Sequence, residues 1–402
     1  MWAYNAFMHA DDYAALMQIL SRPRPSGSAR ERQALGALQG WLERHGLPYR
    51  LQPFTLYPYF LNCIGLWILL VFSLFALSIW LDWGWWVTGL LGLLCVSGGL
   101  LDITYDIPLV TWPGRRCGQN ILIEFSAPQP QRELVISAHY DTKSELFDHH
   151  VRFFFFKNLG LGVALVVVLA VLSLAAPSLP PAWQVPLQWL RIVLTLPLLV
   201  LAWGLGLNMA FGRLRRVQSQ GAVDNGAACA ILLGLSRQLA EGQVPLANTR
   251  LTLALFGGEE VNMQGSRAYV QGRAWPLPAA ALNLEIMAQD GQYVYWEQDG
   301  TSFKLYPTHA GVSRAVSAAV AGITGAPASP AGPINSDGYS FLRAGLPATT
   351  LGTYDRQLGS HGFHLPSDNL ERVQMSRLPE GVEILKLFIR NYDQGETISL
   401  AP

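Results

Sequence analysis

Two histidines and five carboxylates recur along the chain in an order that can bind metal and move a proton: His139, Asp141, Asp224, Glu259, Glu260, Glu285 and His364. The pair Glu259 and Glu260 carries the most specific signal. These residues follow Gly257 and Gly258 at the end of the apolar run 251–256. Burying two adjacent acids is costly unless a cation or a division of roles separates them. One can hold a metal while its neighbour takes a proton from water activated there.

The remaining members say less on their own. SAHYDT (137–142) offers His139 and, two residues on, Asp141, spaced so that the carboxylate can orient a metal-binding imidazole. A buried structural histidine is the alternative. Asp224, in GAVDNGAACA (221–230), is either a ligand or the N-cap of the helix that follows. Glu285 interrupts the apolar LNLEIMA (282–288) and so needs a metal or a salt-bridge partner. GSHGFHLPSDN (359–369) supplies His361 and His364 ahead of a proline turn, and one of them can be a surface-loop histidine.

The elements that must position these residues alternate between strand and helix. The opening MWAYNAFMHADDYAALMQIL reads as an amphipathic helix, with neither the basic start nor the apolar run of a secretory signal. Ser28 and Glu31 form a capping box for a helix reaching His45. Strands are expected at 49–57, 119–125, 133–138, 251–256 and 280–287, and helices at 225–240, 261–270, 311–323 and 377–392. The stretch 325–333 reads as a loop. This pattern predicts an α/β fold with a mostly parallel mixed sheet flanked by helices, and each motif falls at the end of a strand, where such sheets place their sites.

Composition adds a second theme. Half of the 402 residues are hydrophobic and only 14% are charged. The mean hydropathy of +0.23 suits a membrane protein. Net charge is zero, which argues against a nucleic-acid partner, and Cys63, Cys95, Cys117 and Cys229 make no disulfide or metal pattern. Four apolar runs, 61–81, 83–101, 153–176 and 187–212, are each long enough to cross a bilayer, with a proline-rich turn at 177–186. Four inserted transmembrane helices in two hairpins, 61–103 and 151–212, would then interrupt a catalytic domain made of 1–60, 104–150 and 213–402. Arg50, Arg115, Arg116, Arg152, Lys157, Arg213, Arg215 and Arg216 flank the spans on the domain side, so the catalytic domain is expected to be cytoplasmic. About eight residues separate Arg216 from Asp224, a tether of at most roughly 28 Å. That length predicts a site at the bilayer and hydrophobic or membrane-delivered peptide substrates.

Taken together, SAHYDT, GAVDNGAACA, FGGEEVNMQGSRAYV, LNLEIMA and GSHGFHLPSDN resemble the co-catalytic zinc aminopeptidase family that also includes glutamate carboxypeptidases and glutaminyl cyclases. The resemblance covers nearly all of the non-membrane chain, from residues 22–54 through SDGYSFLRAGLPA at 336–348. It implies two Zn²⁺ ions, with His139 and Glu260 as terminal ligands, Asp224 bridging, and Glu285 and His364 completing the set. It also implies Glu259 as general base in a membrane-anchored exopeptidase, most simply an aminopeptidase, with Asp141 kept as the acid that orients the His139 imidazole. His364 is preferred to His361 because HLPSDN matches the family's turn. Two other readings compete: a glutaminyl cyclase with a single zinc, and a non-catalytic membrane scaffold.

Overall fold

Apolar β-strands buried on both faces read as nearly unbroken hydrophobic runs, and LVISAH and LTLALF are such runs. In the computed structural model, which describes residues 10–104, 114–301, 304–355, 357, 359 and 361–395, both lie at the centre of one nine-stranded sheet. The first nine residues of the expected N-terminal helix lie outside the described residues; the helix is seen over Ala10–Leu20.

The strands are β1 (Arg50–Leu56), β2 (Arg116–Ser126), β3 (Arg132–His139), β4 (Thr249–Phe256), β5 (Ala279–Leu284), β6 (Gln292–Thr301), β7 (Lys304–Pro307), β8 (Ser329–Ile334) and β9 (Ala348–Tyr354). Their order is β1-β2-β4-β3-β5-β9-β6-β7, with β8 also paired to β6. The four central strands β4, β3, β5 and β9 run parallel, while β1, β2, β6 and β7 join antiparallel. The sheet is therefore mixed, with four parallel strands at its centre.

Alternation along the central strands sorts side chains into two layers. Leu134 and Ile136 of β3, with Leu251, Leu253 and Leu255 of β4, join the core formed with the helices Ala29–Arg44, Ala227–Ala240, Ala310–Thr324 and Arg377–Gln394. Val135, Ala254 and Phe256 point the other way, to Tyr269 of the helix Gln264–Gln271 and Phe341 of the helix Gly338–Arg343. Each fully buried leucine or isoleucine contributes about 1.5–3 kcal/mol from burial. Register then fixes the functional edge: His139 sits opposite Phe256, and Ser137 opposite Asn283, so β3, β4 and β5 end side by side.

Two expectations for this sheet and its turns need correction. The stretch read as a loop at 325–333 contains β8, which pairs parallel to β6. The expected helix 261–270 is a single 3-10 turn, Glu259–Val261, followed by the helix Gln264–Gln271. Left-handed backbone at Asn262 (φ 84°) and Met263 (φ 53°) separates the two.

Residues 59–114 and 145–216 form a second compact unit, and residues 1–58, 115–144 and 217–402 the first. Among the described residues, three helices of the second unit are long and apolar enough to cross a membrane, at Phe60–Trp80, Leu159–Ser178 and Pro181–Leu214, rather than the expected four. The other expected span forms the helix Trp85–Thr104, but its described apolar stretch, Trp85–Ser97, is shorter. The run at 153–176 is not continuous. One helix, His149–Lys157, ends at Asn158, and the next, Leu159–Ala175, begins there. The proline-rich turn is also shorter than expected, because Pro181 opens the last helix, where its missing N–H costs nothing. Phe75, Ile79, Val166, Leu169 and Leu198 form this unit's own core. Trp67, Leu70, Val167, Val171, Trp189, Val193 and Val200 are exposed apolar residues on its helices.

Candidate metal centre

Each cluster member is delivered by a strand end or by the turn just beyond one. His139 is the last residue of β3, and Glu285 directly follows β5. After β4 the chain must reverse within two residues to bring in the acids. Gly258 does so in the left-handed region (φ 70°), where a Cβ would lie 2.8 Å from Leu56 Cδ1. Glu259 and Glu260 follow in the 3-10 turn. Asp224 lies in the turn Ala222–Gly226, just before the helix Ala227–Ala240. His364 takes a left-handed conformation (φ 59°) in the loop after β9.

The structure brings six of these side chains into one buried cluster. His139 Nε2 lies 3.1 Å from Glu285 Oε1 and 3.2 Å from Asp224 Oδ1. His364 Nε2 lies 3.1 Å from the other Asp224 oxygen, Oδ2, and 3.2 Å from Glu260 Oε2. Asp224 thus belongs to two donor sets, His139–Asp224–Glu285 and Asp224–Glu260–His364. Glu259 Oε2 is 3.8 Å from His139 Nε2, beside both. His361 is exposed and outside this cluster. Asp224 is not the helix N-cap considered from sequence: Gly226 holds that position, and the Asp224 carboxylate faces the two imidazoles. Nor does Glu285 have a lysine or arginine partner among the described residues.

Asp141 is fully buried and does more than its spacing suggests. Its main-chain carbonyl is 3.2 Å from His139 Nδ1, closer than its carboxylate at 3.6 Å. The carboxylate instead accepts the main-chain N–H groups of Glu259 (3.2 Å) and Glu260 (3.3 Å) and the Ser26 hydroxyl (2.6 Å). One acid therefore fixes the backbone of two others.

Electrostatics set out what this cluster lacks. Burial raises Glu285 to about 8 despite nearby His139, and burial also holds Glu259 well above the ordinary carboxylate range, with Glu260 and Glu285 adding to the rise. Burial alone would lower His139, but Glu285, Glu259, Asp141 and Asp224 keep it well above its ordinary value. Burial would likewise raise Asp224, yet hydrogen bonds with His139 and His364 pull it well below. Four buried carboxylates thus face two imidazoles. No lysine or arginine among the described residues ion-pairs with Asp224, Glu259, Glu260 or Glu285, and Glu260 Oε1 is buried without a hydrogen-bond partner. Unpaired buried charge of this kind is stable only with a cation or with bound protons that a cation must displace. Imidazole nitrogen and carboxylate oxygen are zinc donors, so the residues fit the metal.

Several supporting residues carry no clear signal in the sequence. Asp368 Oδ1 accepts the Val223 N–H at 2.8 Å and so ties the Asp224 turn to the loop of His364. Asn225 Nδ2 donates to the Leu284 carbonyl at 2.7 Å, tying the same turn to Glu285. Asp337 is fully buried, pushed up to about 7 by burial, and feels the charges of His139 and Asp141. Asp337 and Asp368 fall within SDG and HLPSDN, but neither motif marks them out or discloses what they hold.

Residues 208–387, which include Asp224, Glu259, Glu260, Glu285 and His364, match peptidase family M28. That stretch is an M28 peptidase domain. The match makes it a hydrolase of the peptidase type. Solved structures similar to this chain include an aminopeptidase from an Aneurinibacillus species (13% identity, TM-score 0.55, covering 96% of this chain and 94% of that one). A Zn-dependent exopeptidase from Parabacteroides distasonis is similar at 14% identity and TM-score 0.55, covering 95% and 98%. A glutaminyl cyclase from Tannerella forsythia is similar at 16% identity and TM-score 0.53, again covering 95% and 98%. At these identities the similarity establishes the fold. No curated protein matches the sequence.

Proposed function

We propose that this chain is a two-metal aminopeptidase. The observation that carries the reading is the placement of Asp224, whose two oxygens face different imidazoles in two complete donor sets. His139, Asp224 and Glu285 would hold one zinc, and Asp224, Glu260 and His364 the other. Bound zinc supplies Lewis acidity to the scissile carbonyl and acidifies water. Glu259 is the general base: its carboxylate stands beside both donor sets, takes the proton of the attacking water and returns it to the leaving amine. Asp141 acts through Glu259 and Glu260 by holding their main-chain N–H groups.

The fold is shared with glutaminyl cyclases, so the assay must separate water from an internal amine as nucleophile. Metal analysis of the purified full chain is expected to give about two zinc ions per chain. Activity is expected on peptides with a free N-terminus and not on N-blocked ones. One zinc per chain together with ring closure of an N-terminal glutamine peptide would replace this reading by the cyclase, and neither metal nor turnover would leave the scaffold.

The second unit is proposed as a membrane anchor carried by the helices Phe60–Trp80, Leu159–Ser178 and Pro181–Leu214, inserted into a catalytic unit of residues 1–58, 115–144 and 217–402. Support comes from three helices of sufficient length and hydropathy and from the exposed apolar side chains on them. Basic residues at the domain ends of the spans favour a cytoplasmic catalytic domain and membrane-delivered peptides. A fluorescent reporter fused after Pro402 is expected to be active in the cytoplasm. An alkaline phosphatase fusion at the same point that proved active would reverse the orientation.

A further inference from the structure

The turn that carries Asp224 is closed at both ends by a segment that precedes it by some 200 residues in the sequence. Gly221 opens the turn with left-handed backbone (φ 59°), and a Cβ there would lie 2.2 Å from Thr142 Cγ2 and 3.2 Å from Arg24 Nη2. Gly226 closes it so near the N-terminal segment that a Cβ would meet the Leu20 carbonyl oxygen at 2.7 Å. Between these two contacts lies Arg24, with no exposed surface.

A buried guanidinium usually meets a carboxylate, but every hydrogen bond of this one goes to a main-chain carbonyl. Nε donates to Tyr140 O (2.6 Å), Nη2 to Gly221 O (3.0 Å), and Nη1 to Gln220 O (2.9 Å), Arg22 O (2.8 Å) and Leu20 O. Only arginine presents donors in a rigid planar fork that can reach such a spread of acceptors. The main chain of the same residue is pinned as well, since Arg24 N–H donates to Thr142 Oγ1 (2.8 Å) and Thr142 N–H donates to Arg24 O (3.0 Å). Tyr140 follows His139 directly, and Gly221 begins the turn to Asp224. Arg24 therefore joins the strand end that bears one ligand to the turn that bears another.

We propose that Arg24 is a positioning residue that sets the His139–Asp224–Glu285 cation site, and that it does so from outside the stretch matched to the M28 family. The second site has different supports. Asp368 holds the Val223 N–H, and Asp141 holds the Glu260 N–H. His139 belongs to the first of these donor sets alone while Asp224 is shared, so loss of the Arg24 fork acts on the first cation more strongly than on the second. This inference rests on the two-cation reading above.

The test is calorimetric titration of metal-stripped full chain with Zn²⁺ alone, comparing wild type with Arg24→Lys, which keeps the charge and loses the fork. Wild type is expected to show two binding events, and the variant to weaken one of them about 10- to 100-fold and the other by a clearly smaller factor. Asp368→Asn should weaken more strongly the event that Arg24→Lys weakens less. If wild type binds a single zinc, the two-metal reading fails whatever the variant does. Two wild-type events that both survive Arg24→Lys, or that weaken equally in a variant whose circular dichroism is native, overturn the positioning role. Should Arg24→Lys not fold, Thr142→Val removes only the acceptor of the Arg24 main-chain N–H. It must weaken chiefly the same event, by a smaller factor, and two unaltered events in that variant overturn the proposal equally.

Discussion

Glu259→Gln is expected to reduce peptide hydrolysis by at least about 10²–10⁴-fold, the range general-base catalysis supplies, while zinc content stays as in wild type. The amide preserves the shape of the side chain, and its main-chain N–H still reaches Asp141. It cannot take a proton. Glu259 is also absent from the donor sets centred on Asp224, where Glu260 and Glu285 supply the glutamate oxygens. Metal and activity should therefore separate in this variant, and they are read on the same preparation by metal analysis and by turnover of a peptide with a free N-terminus. Activity within a few-fold of wild type would remove Glu259 as the base. Loss of zinc along with activity would instead make Glu259 a ligand, as the grouping of His139, Glu259 and Glu260 within ligand distance allows.

That Glu259 and Glu260 could be found in the sequence, and Arg24 and Asp368 could not, has a physical cause. Adjacent acids after a glycine pair at the end of an apolar strand are a local pattern, and every feature that makes them costly lies within ten residues. Arg24 and Asp368 act on main-chain groups at Gly221 and Val223, which leave no trace in side-chain chemistry. Only the fold brings those partners together. Asp141 is intermediate: its place two residues from His139 marked it as a helper, but its carboxylate turns to the backbone of Glu259 and Glu260 instead.

The fold divides in the same way. β3 and β4 were legible because strands buried on both faces must be apolar throughout. β6 carries Glu297 and Asp299, and β8 contains Pro330 and Pro333, so neither reads as a strand. Such residues are tolerated because β8 pairs on one side with β6 and its prolines need no partner on the other. In the second unit, composition located the apolar runs but not their breaks. A single residue, Asn158, ends one helix and starts another within a run that hydropathy alone leaves continuous.

Asp224→Asn is expected to have the other large effect and the opposite signature, removing metal and activity together. The two carboxylate oxygens are not equivalent to an amide's oxygen and nitrogen: each faces an imidazole that belongs to a different donor set. An asparagine keeps one acceptor and offers an N–H₂ to the other side, where a cation needs a lone pair. Supporting residues around a metal typically account for 10–100-fold in affinity, so a shared ligand should account for about 100-fold or more at whichever site meets the amide nitrogen. The turn itself should persist, because Asp368 holds its main chain at Val223 and the Asn225 side chain anchors it to the Leu284 carbonyl, neither depending on the Asp224 side chain. A native circular dichroism spectrum with one zinc or none per chain is the expected result. Two zinc ions retained at wild-type affinity would mean that Asp224 does not bridge, and the two donor sets would then have to be counted as one.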